Sequence, residues 1–303
     1  MNTSQQHSQA HRQPRQWILI SLTLLITACG GSNNKDISAT GSHTCSLENK
    51  EVTCWGWNDY GQSDVPNDLG EVSLISSGYI HNCAVDAEGT TCWGDDFFGQ
   101  STIPDNINNP NAISAGEFHT CAIEDGNVSC WGAGYEGAPT HNFHKGQSIV
   151  PEGIVNPIEI SAGETHTCVI DESGVICWGL DDRGQSTPPT SLVNPSNITT
   201  NTNQSCVIDT INDTNKIVCW GFEQDLPNDL IHPTALKISG HSCAISDARV
   251  SCWGLNNSGQ ADVPDSIINP TSIAVGKSHS CAIHDSGITC WGQNFFGQLD
   301  VPE

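Results

Sequence analysis

Residues 112–132 read AISAGEFHTCAIEDGNVSCWG and contain the unit from which most of this 303-residue chain is built. Gly116 and the Asp125-Gly126 pair interrupt alternating stretches, a pattern that indicates short β-strands joined by tight turns. The unit recurs around seven cysteine pairs whose first members are 37 or 38 residues apart, apart from one interval of 47. The pairs are Cys45 and Cys54, Cys83 and Cys92, Cys121 and Cys130, Cys168 and Cys177, Cys206 and Cys219, Cys243 and Cys252, and Cys281 and Cys290. No copy shows helical periodicity, so the chain is predicted to be all-β.

The repeat length predicts how the copies are arranged. A period of about 40 residues with about four short strands is typical of a β-propeller blade. Each small sheet cannot bury its own faces, whereas stacking around a ring covers both faces with neighbouring blades. Seven copies therefore predict a seven-bladed β-propeller. The alternative is an open β-solenoid, which has shorter coils and needs caps at its ends.

The spacing within each pair predicts one disulfide per blade. Eight residues separate the cysteines in six copies, so a hairpin centred between them places Cys121 opposite Cys130. In the fifth copy twelve residues separate Cys206 from Cys219, and this even insertion keeps both on one face. A glycine bulge in the turn would shift the register by one residue. Zinc binding is the weaker alternative, because zinc ligands are typically spaced more closely.

The repeat resembles a known family. Ala-Gly-x-x-His-Thr-Cys-Ala-Ile, then Val-x-Cys-Trp-Gly, then NDYGQSDVP at 58–66 resemble the regulator-of-chromosome-condensation repeat. The short period and the Gly-Gln…Val-Pro tail are most similar to its compact bacterial branch, which includes the type II β-lactamase inhibitor protein. The resemblance covers about 36–303, implies a seven-bladed propeller and says little about function. The fifth copy departs from the pattern, with Gln204 in place of histidine and Asn201 in place of glycine.

The N-terminus predicts export and lipidation. Residues 1–28 have a polar start with two arginines and no acid, then a short apolar core and small residues before Cys29. This stretch is similar to a bacterial lipoprotein signal peptide, which would make Cys29 the lipidated first residue and 29–35 a flexible tether to the propeller at 36–303. An ordinary cleaved signal followed by a stray cysteine is the alternative. Gly30 after the anchor, rather than aspartate, favours the outer membrane by the same resemblance.

The charge of the chain argues against some partners. The sequence has 10 basic and 34 acidic residues, and residues 1–34 hold two of the basic ones and no acid. The remainder carries 8 basic and 34 acidic residues, a net charge of −26. Such a surface repels phosphate backbones, so nucleic acid is not expected as a partner, and membrane contact is expected through the lipid anchor only. An exported location permits disulfides.

No residue pattern predicts catalysis, a cofactor or a metal site. Six histidines each precede the first cysteine of a pair by two residues, and this repetition favours a structural hydrogen bond over metal binding or acid–base chemistry. The acidic doublets at 95–96 and 181–182 are interpreted as turn residues, because they lie in different copies and lack a calcium-loop pattern. Nucleophile and phosphate-loop motifs are absent from the sequence. Paired carboxylates for sugar hydrolysis remain open.

Aromatic residues in the loops after Trp-Gly are the candidate binding site. Copies seven, one and two carry them and become neighbours if the ring closes, whereas copies four to six have polar residues there. Trp57, Phe97 and Phe295 are the preferred contact residues, since the aromatic directly before Gly-Gln also fits a structural role. The insertion at 133–149 is interpreted equally well as a recognition element or as a neutral expansion. The full candidate set is Trp57, Tyr60, Phe97, Phe98, Tyr135, Phe295 and Phe296.

These features favour a non-enzymatic envelope lipoprotein, monomeric, that binds another macromolecule through the aromatic loops. Protein is the preferred partner and a glycan is second, because aromatic rings also stack on sugars. One alternative is a carbohydrate-active hydrolase or lyase that uses carboxylates on the rim. The other is a structural scaffold of an envelope assembly.

Overall fold

The computed structural model describes residues 35–135, 137, 142–222, 225–227 and 230–302. These residues form 21 β-strands in seven antiparallel sheets of three strands each. The predicted signal peptide and the predicted lipidation site, Cys29, lie outside them. The described part of the chain has no helix long and apolar enough to cross a membrane.

Each sheet is one blade and contains three consecutive strands. Blade 1 contains β1 (Asp36–Ala39), β2 (His43–Glu48) and β3 (Glu51–Gly56). Blade 2 contains β4 (Leu74–Ser77), β5 (His81–Asp86) and β6 (Gly89–Gly94). Blade 3 contains β7 (Ala112–Ala115), β8 (His119–Glu124) and β9 (Asn127–Gly132). Blade 4 contains β10 (Glu159–Ala162), β11 (His166–Asp171) and β12 (Gly174–Gly179). Blade 5 contains β13 (Pro195–Thr200), β14 (Gln204–Ile211) and β15 (Thr214–Gly221). Blade 6 contains β16 (Pro233–Ile238), β17 (His241–Ser246) and β18 (Arg249–Gly254). Blade 7 contains β19 (Ser272–Val275), β20 (His279–His284) and β21 (Gly287–Gly292).

The all-β, seven-bladed propeller is confirmed, but the expectation of about four strands per repeat is wrong. The residues after each third strand form turns and loops in the described segments, not a fourth strand. In the first copy this segment folds back on itself and is held by Asn58, whose amide donates to Asp64 at 2.7 Å. Pro66 follows, and proline cannot donate a ladder hydrogen bond.

The hairpin register pairs the cysteines as predicted. Cys121 lies directly opposite Cys130, and the longer strands β14 and β15 place Cys206 opposite Cys219. The turn of the third hairpin is a two-residue loop in which Asp125 and Gly126 have φ values of 49° and 74°. Two residues with positive φ are typical of a type I′ turn, which preserves the register without a bulge.

All seven predicted disulfides are present, one in each blade, and each joins the second strand of the blade to the third. In every blade the first cysteine is fully buried and the second is partly buried. The bonds link Cys45 to Cys54, Cys83 to Cys92, Cys121 to Cys130, Cys168 to Cys177, Cys206 to Cys219, Cys243 to Cys252, and Cys281 to Cys290. The disulfide prediction is therefore confirmed for all fourteen cysteines, and the zinc alternative is excluded for them.

The ring closes between blade 7 and blade 1. His279 Nε2 lies 2.6 Å from Thr44 Oγ1, although the two residues are 235 positions apart in sequence. The indole of Trp55 donates to the backbone oxygen of Gln298 at 3.0 Å, and Lys277 N donates to Gly41 O at 2.9 Å. These contacts exclude the open solenoid. The first strands of all seven blades line a central cavity of about 360 Å³.

Apolar side chains fill the space between neighbouring blades. Cys45 and Leu47 of the second strand in blade 1 pack against Ile75, Ala84 and Trp93 of blade 2. Equivalent clusters with a tryptophan follow around the ring. The core is therefore a set of interfaces between blades, as stacking of small sheets requires.

A repeated polar network joins the blades next to these clusters. His81 Nε2 is 2.8 Å from Thr120 Oγ1 in the next blade, and Thr120 donates its hydroxyl to Gln100 O at 2.9 Å. The indole of Trp131 donates to the same carbonyl at 3.0 Å. Because the single hydroxyl proton of Thr120 is directed to Gln100, Nε2 of His81 must carry the proton it donates. Burial lowers the pKa of His81 to about 3, so the imidazole is neutral near pH 7 and donates from Nε2.

All six repeated histidines are buried and contact the following blade through Nε2, which confirms their structural interpretation. The fifth copy differs, because Gln204 donates to Phe222 O of its own blade at 2.8 Å.

Candidate interaction surface

Two loops of every blade reach the same edge of the ring. In a three-stranded antiparallel sheet, the first and third strands run in the same direction, so their C-terminal ends lie together. Backbone hydrogen bonds join the two loops, from Trp57 N to Ser42 O at 3.0 Å and from Asp95 N to Ile80 O at 2.9 Å. We call this edge the upper rim. It carries both the Gly-x-x-His loops and the loops after Trp-Gly.

Side-chain hydrogen bonds hold the loops after Trp-Gly in shape. Asp96 accepts from the backbone nitrogens of Ser101 and Thr102 at 2.8 and 3.0 Å. Gln100 Oε1 accepts from Phe98 N at 2.8 Å. Asp181 repeats the role of Asp96 in the fourth copy, accepting from Ser186 N at 2.7 Å. The acidic doublets thus stabilise turns, and each loop presents its tip on a fixed backbone.

Aromatic rings from four consecutive blades are in contact along the upper rim. The chain of ring contacts runs from Phe296 to Trp57 (5.6 Å between centroids), to Tyr79 (6.2 Å), to Phe118 (6.4 Å) and to Phe98 (5.5 Å). Most pairs are edge-to-face or tilted, which are favourable geometries for aromatic rings. We call the connected set the aromatic arc. Its members are Trp57, Tyr60, Tyr79, Phe97, Phe98, Phe118, Tyr135, Phe143, His144 and Phe296.

The preferred contact residues differ in their exposure. Phe97 and Phe295 are 81% and 83% exposed at the loop tips, and Phe295 immediately precedes Phe296 of the arc. Trp57 is half-buried and lies at the centre of one group, with its ring 5.4 Å from Tyr60. Trp57 therefore also supports its neighbours, whereas the two phenylalanines present nearly their whole side chains to solvent.

The remaining candidates are intermediate between these two cases. Tyr60, Phe296 and Tyr135 are about half exposed, and Phe98 is half-buried among other rings. The structure thus brings six of the seven candidates into the connected arc and places Phe295 beside it. That these residues bind a partner stays a prediction.

Four members of the arc, Tyr79, Phe118, Phe143 and His144, were not among the candidates predicted from the sequence. Tyr79 and Phe118 belong to the Gly-x-x-His loops of copies two and three, where copies four and seven carry Glu164-Thr165 and Lys277-Ser278. The sequence signal that could have identified Tyr79 and Phe118 was an aromatic residue at a loop position where other copies carry polar or charged residues. Phe143 belongs to the insertion, and its position could not be assigned from an irregular stretch.

The described part of the insertion extends the arc. The Phe143 ring lies 4.3 Å from that of Phe118, and His144 Nδ1 accepts from Gly134 N at 2.8 Å. Gln147 lies near the end of the insertion and keeps the role of the repeat glutamine, because its backbone oxygen accepts from the indole of Trp178 at 2.8 Å. The insertion therefore lengthens the loop without breaking the interface between blades 3 and 4.

Charged residues lie where the arc meets the central cavity. Glu117, Glu164 and Lys277 line the cavity, and we call these three side chains the cavity mouth. Burial and the nearby Glu164 raise the pKa of Glu117 to about 7, although Lys277 acts in the opposite direction. The Lys277 ammonium lies 4.7 Å from the centre of the Tyr79 ring, within range of a cation–π contact.

The described residues contain no cluster of three or more histidine, cysteine, aspartate or glutamate side chains that could hold a metal ion.

Comparisons with known proteins identify the repeat and the fold. Residues 35–62, 158–185 and 271–298 match the model of the regulator of chromosome condensation (RCC1) repeat. The ectodomain of the receptor kinase CR4 from Physcomitrella patens is similar, with a TM-score of 0.66, 22% identity and coverage of 86% of this chain and 73% of that one. A search of curated proteins gives no match.

A second solved structure is of Prp20p from Saccharomyces cerevisiae, described with its binding properties to Gsp1p and histones. It has a TM-score of 0.65 and 16% identity, and the match covers 89% of this chain and 83% of that one. At these identities the likeness supports the fold alone. The RCC1-repeat resemblance is thus confirmed at the level of the repeat.

Proposed function

We propose that this protein is a non-enzymatic binding module that holds another macromolecule on the aromatic arc. The observation that carries the proposal is the unbroken chain of ring contacts from Phe296 to Phe98, with Phe97 and Phe295 exposed beside it. Soluble proteins rarely expose connected aromatic groups unless these make contacts. Rigid aromatic side chains lose little conformational entropy on binding and dominate the energetics of many interfaces.

A protein is the preferred partner. The arc crosses four blades, and its rings have different orientations instead of forming one flat platform. Rings in different orientations form an uneven surface, which complements the uneven surface of a protein better than the flat faces of sugar rings. A glycan is the second candidate, because the exposed faces of Phe97 and Phe295 are also able to stack on a sugar.

The proposed place of action is the exported side of the cell envelope. Seven disulfides indicate an oxidising, non-cytoplasmic environment. A lipid anchor at Cys29, with sorting to the outer membrane, remains our proposal from the sequence alone.

Replacing Trp57, Phe97 and Phe295 together by alanine tests the proposal. We expect loss of specific capture of envelope components by the full-length protein, because the exposed apolar contact area is removed. The matched control replaces Val193, Leu255 and Ile268 by alanine, three apolar residues that are also exposed but lie outside the arc. Thermal unfolding of each variant is measured to verify that it remains folded. Unchanged capture by the folded arc variant would rule the proposal out.

One observation favours a hydrolase as a second candidate. Glu117 and Glu164 both line the central cavity, and the pKa of Glu117 is raised to about 7. A carboxyl group with a raised pKa beside a second carboxyl group is a common arrangement for acid–base cleavage of a glycosidic bond. Turnover of envelope polysaccharides by the wild-type protein, abolished by Glu117→Gln, would support this candidate. The scaffold alternative has less support, because it does not account for a connected exposed arc.

A further inference from the structure

We propose that the partner of the aromatic arc presents a basic segment, and that one of its lysine or arginine side chains binds at the cavity mouth beside Glu117 and Glu164. This inference rests on the proposed function and specifies the chemistry of the partner.

Three of the loops that carry the arc are acidic. The stretches 57–64, 95–102 and 294–300 contain five aspartates and no lysine or arginine. Asp59 and Asp96 are exposed at the loop tips, next to the aromatic side chains. A basic partner would be attracted to this surface, whereas an acidic one would be repelled.

The cavity mouth adjoins the arc through the backbone. Tyr79 N donates to Gly116 O at 3.2 Å, and Glu117 N donates to Gly163 O at 3.1 Å, so the Gly-x-x-His loops of blades 2, 3 and 4 are in direct contact. Glu117 lines the cavity, and the next residue, Phe118, is a member of the arc. One loop of blade 3 therefore supplies both a carboxyl group at the cavity and, from the next residue, a ring of the arc.

The negative charge at the cavity mouth is not neutralised by an ion pair within the part of the chain that the structure describes. The close contacts between basic and acidic side chains found there are Lys35–Glu48, Lys50–Glu71 and His232–Asp247, and none includes Glu117 or Glu164. Glu117 is half-buried beside Glu164, which raises its pKa. A second cation at this position would relieve the repulsion between the two carboxylates.

The arc already holds one cation in the way we propose for the partner. The Lys277 ammonium lies over the Tyr79 ring at 4.7 Å, and its charge lowers the pKa of Glu117. An aromatic face combined with a nearby carboxylate is a suitable environment for an ammonium or guanidinium group. The rings of Phe118 and Phe98, 5.5 Å apart, continue the aromatic surface from Tyr79.

A selection with displayed random peptides tests the inference, with the immobilised full-length protein as the target. We expect the enriched peptides to combine lysine or arginine with apolar residues. The double variant with Glu117→Gln and Glu164→Gln should bind a synthetic copy of the best peptide at least tenfold more weakly than the wild type. The control variant, with Glu51→Gln and Glu88→Gln, removes the same charge from two exposed positions at the hairpin turns, on the opposite edge of the blades, and should bind normally.

The outcomes separate this inference from the proposed function. Peptides that depend on Trp57, Phe97 and Phe295 but are neutral or acidic, or that bind the glutamine variant normally, would overturn the inference and leave the proposed function standing. A glycan array that gives arc-dependent binding where peptides give none would also overturn it. Absence of any ligand that depends on the arc would contradict both.

Discussion

Gly116 illustrates how one residue determines the distance between two blades. A Cβ added to Gly116 would lie 2.4 Å from Gly163 O in the next blade and 2.9 Å from Cε1 of His119 in its own blade. Gly78 has the same surroundings, 2.4 Å from Gly116 O. The glycine of Ala-Gly-x-x-His is therefore required because the backbone of the neighbouring blade lies where a side chain would begin.

We predict that Gly116→Ala lowers the free energy of unfolding by about 1–3 kcal/mol, because the blades must move apart to admit the methyl group. Urea denaturation measures the change. The control is Gly126→Asn, at a turn position with φ of 74° and open space around it, which asparagine tolerates. Equal midpoints for wild type and Gly116→Ala would show that the blades are not held this closely.

Strands of neighbouring blades are joined by the buried network of histidine, hydroxyl and carbonyl groups. Thr120 is the central member of one such network, because it accepts from His81 and donates to Gln100. We predict that Thr120→Val, which keeps the shape of the side chain, costs about 1–3 kcal/mol, because the buried Nε2 of His81 loses its acceptor and Gln100 O keeps only the indole of Trp131 as a donor.

Thr53→Val, at an exposed position of β3, is the matched control and should change stability little. Both variants are compared by urea denaturation. A loss of stability no greater for Thr120→Val than for Thr53→Val would contradict the proposed role of the network.

At the scale of the whole molecule, the six buried histidines make the ring sensitive to acid. Their pKa values in the folded protein are lowered from 6.5 to between about 3 and about 4, chiefly by burial. Below pH 6.5 the unfolded chain therefore binds more protons than the folded protein. The contribution of the histidines to the free energy of unfolding is complete above that pH and falls as the pH decreases towards 4. The raised pKa of Glu117 has the opposite effect, because it favours the folded protein as the pH decreases. It is a single group, however, and six histidines favour the unfolded chain.

We predict that each histidine contributes a decrease of up to about 1.4 kcal/mol per pH unit between pH 6.5 and 4. Urea denaturation at a series of pH values measures the slope. His119→Gln introduces the residue that the fifth copy has at this position, and it should make the slope shallower. A stability that is constant from pH 7 to 4.5 would contradict the neutral, buried state of the imidazoles.

The sequence predicted the repeat geometry well and the surface only in part. An even number of residues between paired cysteines was sufficient to place Cys206 opposite Cys219, since strand faces alternate with a period of two. Ring closure was sufficient to bring copies seven, one and two together. Tyr79 and Phe118 were missed because they lie in a different loop, between the first and second strands of a blade. That this loop lies on the upper rim follows from the three-stranded topology of the blades, which the sequence analysis did not predict.

Site-specific photo-crosslinking tests the binding role of the arc most directly. A photoreactive amino acid replaces Phe97 or Phe295 in the full chain in intact cells, and Asp182 or Asn257 provides the control at the equivalent loop position in blades 4 and 6. We predict a discrete adduct from Phe97 and Phe295 and none from Asp182 and Asn257. Adducts of equal yield from all four positions, or from the two control positions alone, would contradict the aromatic arc as the binding surface.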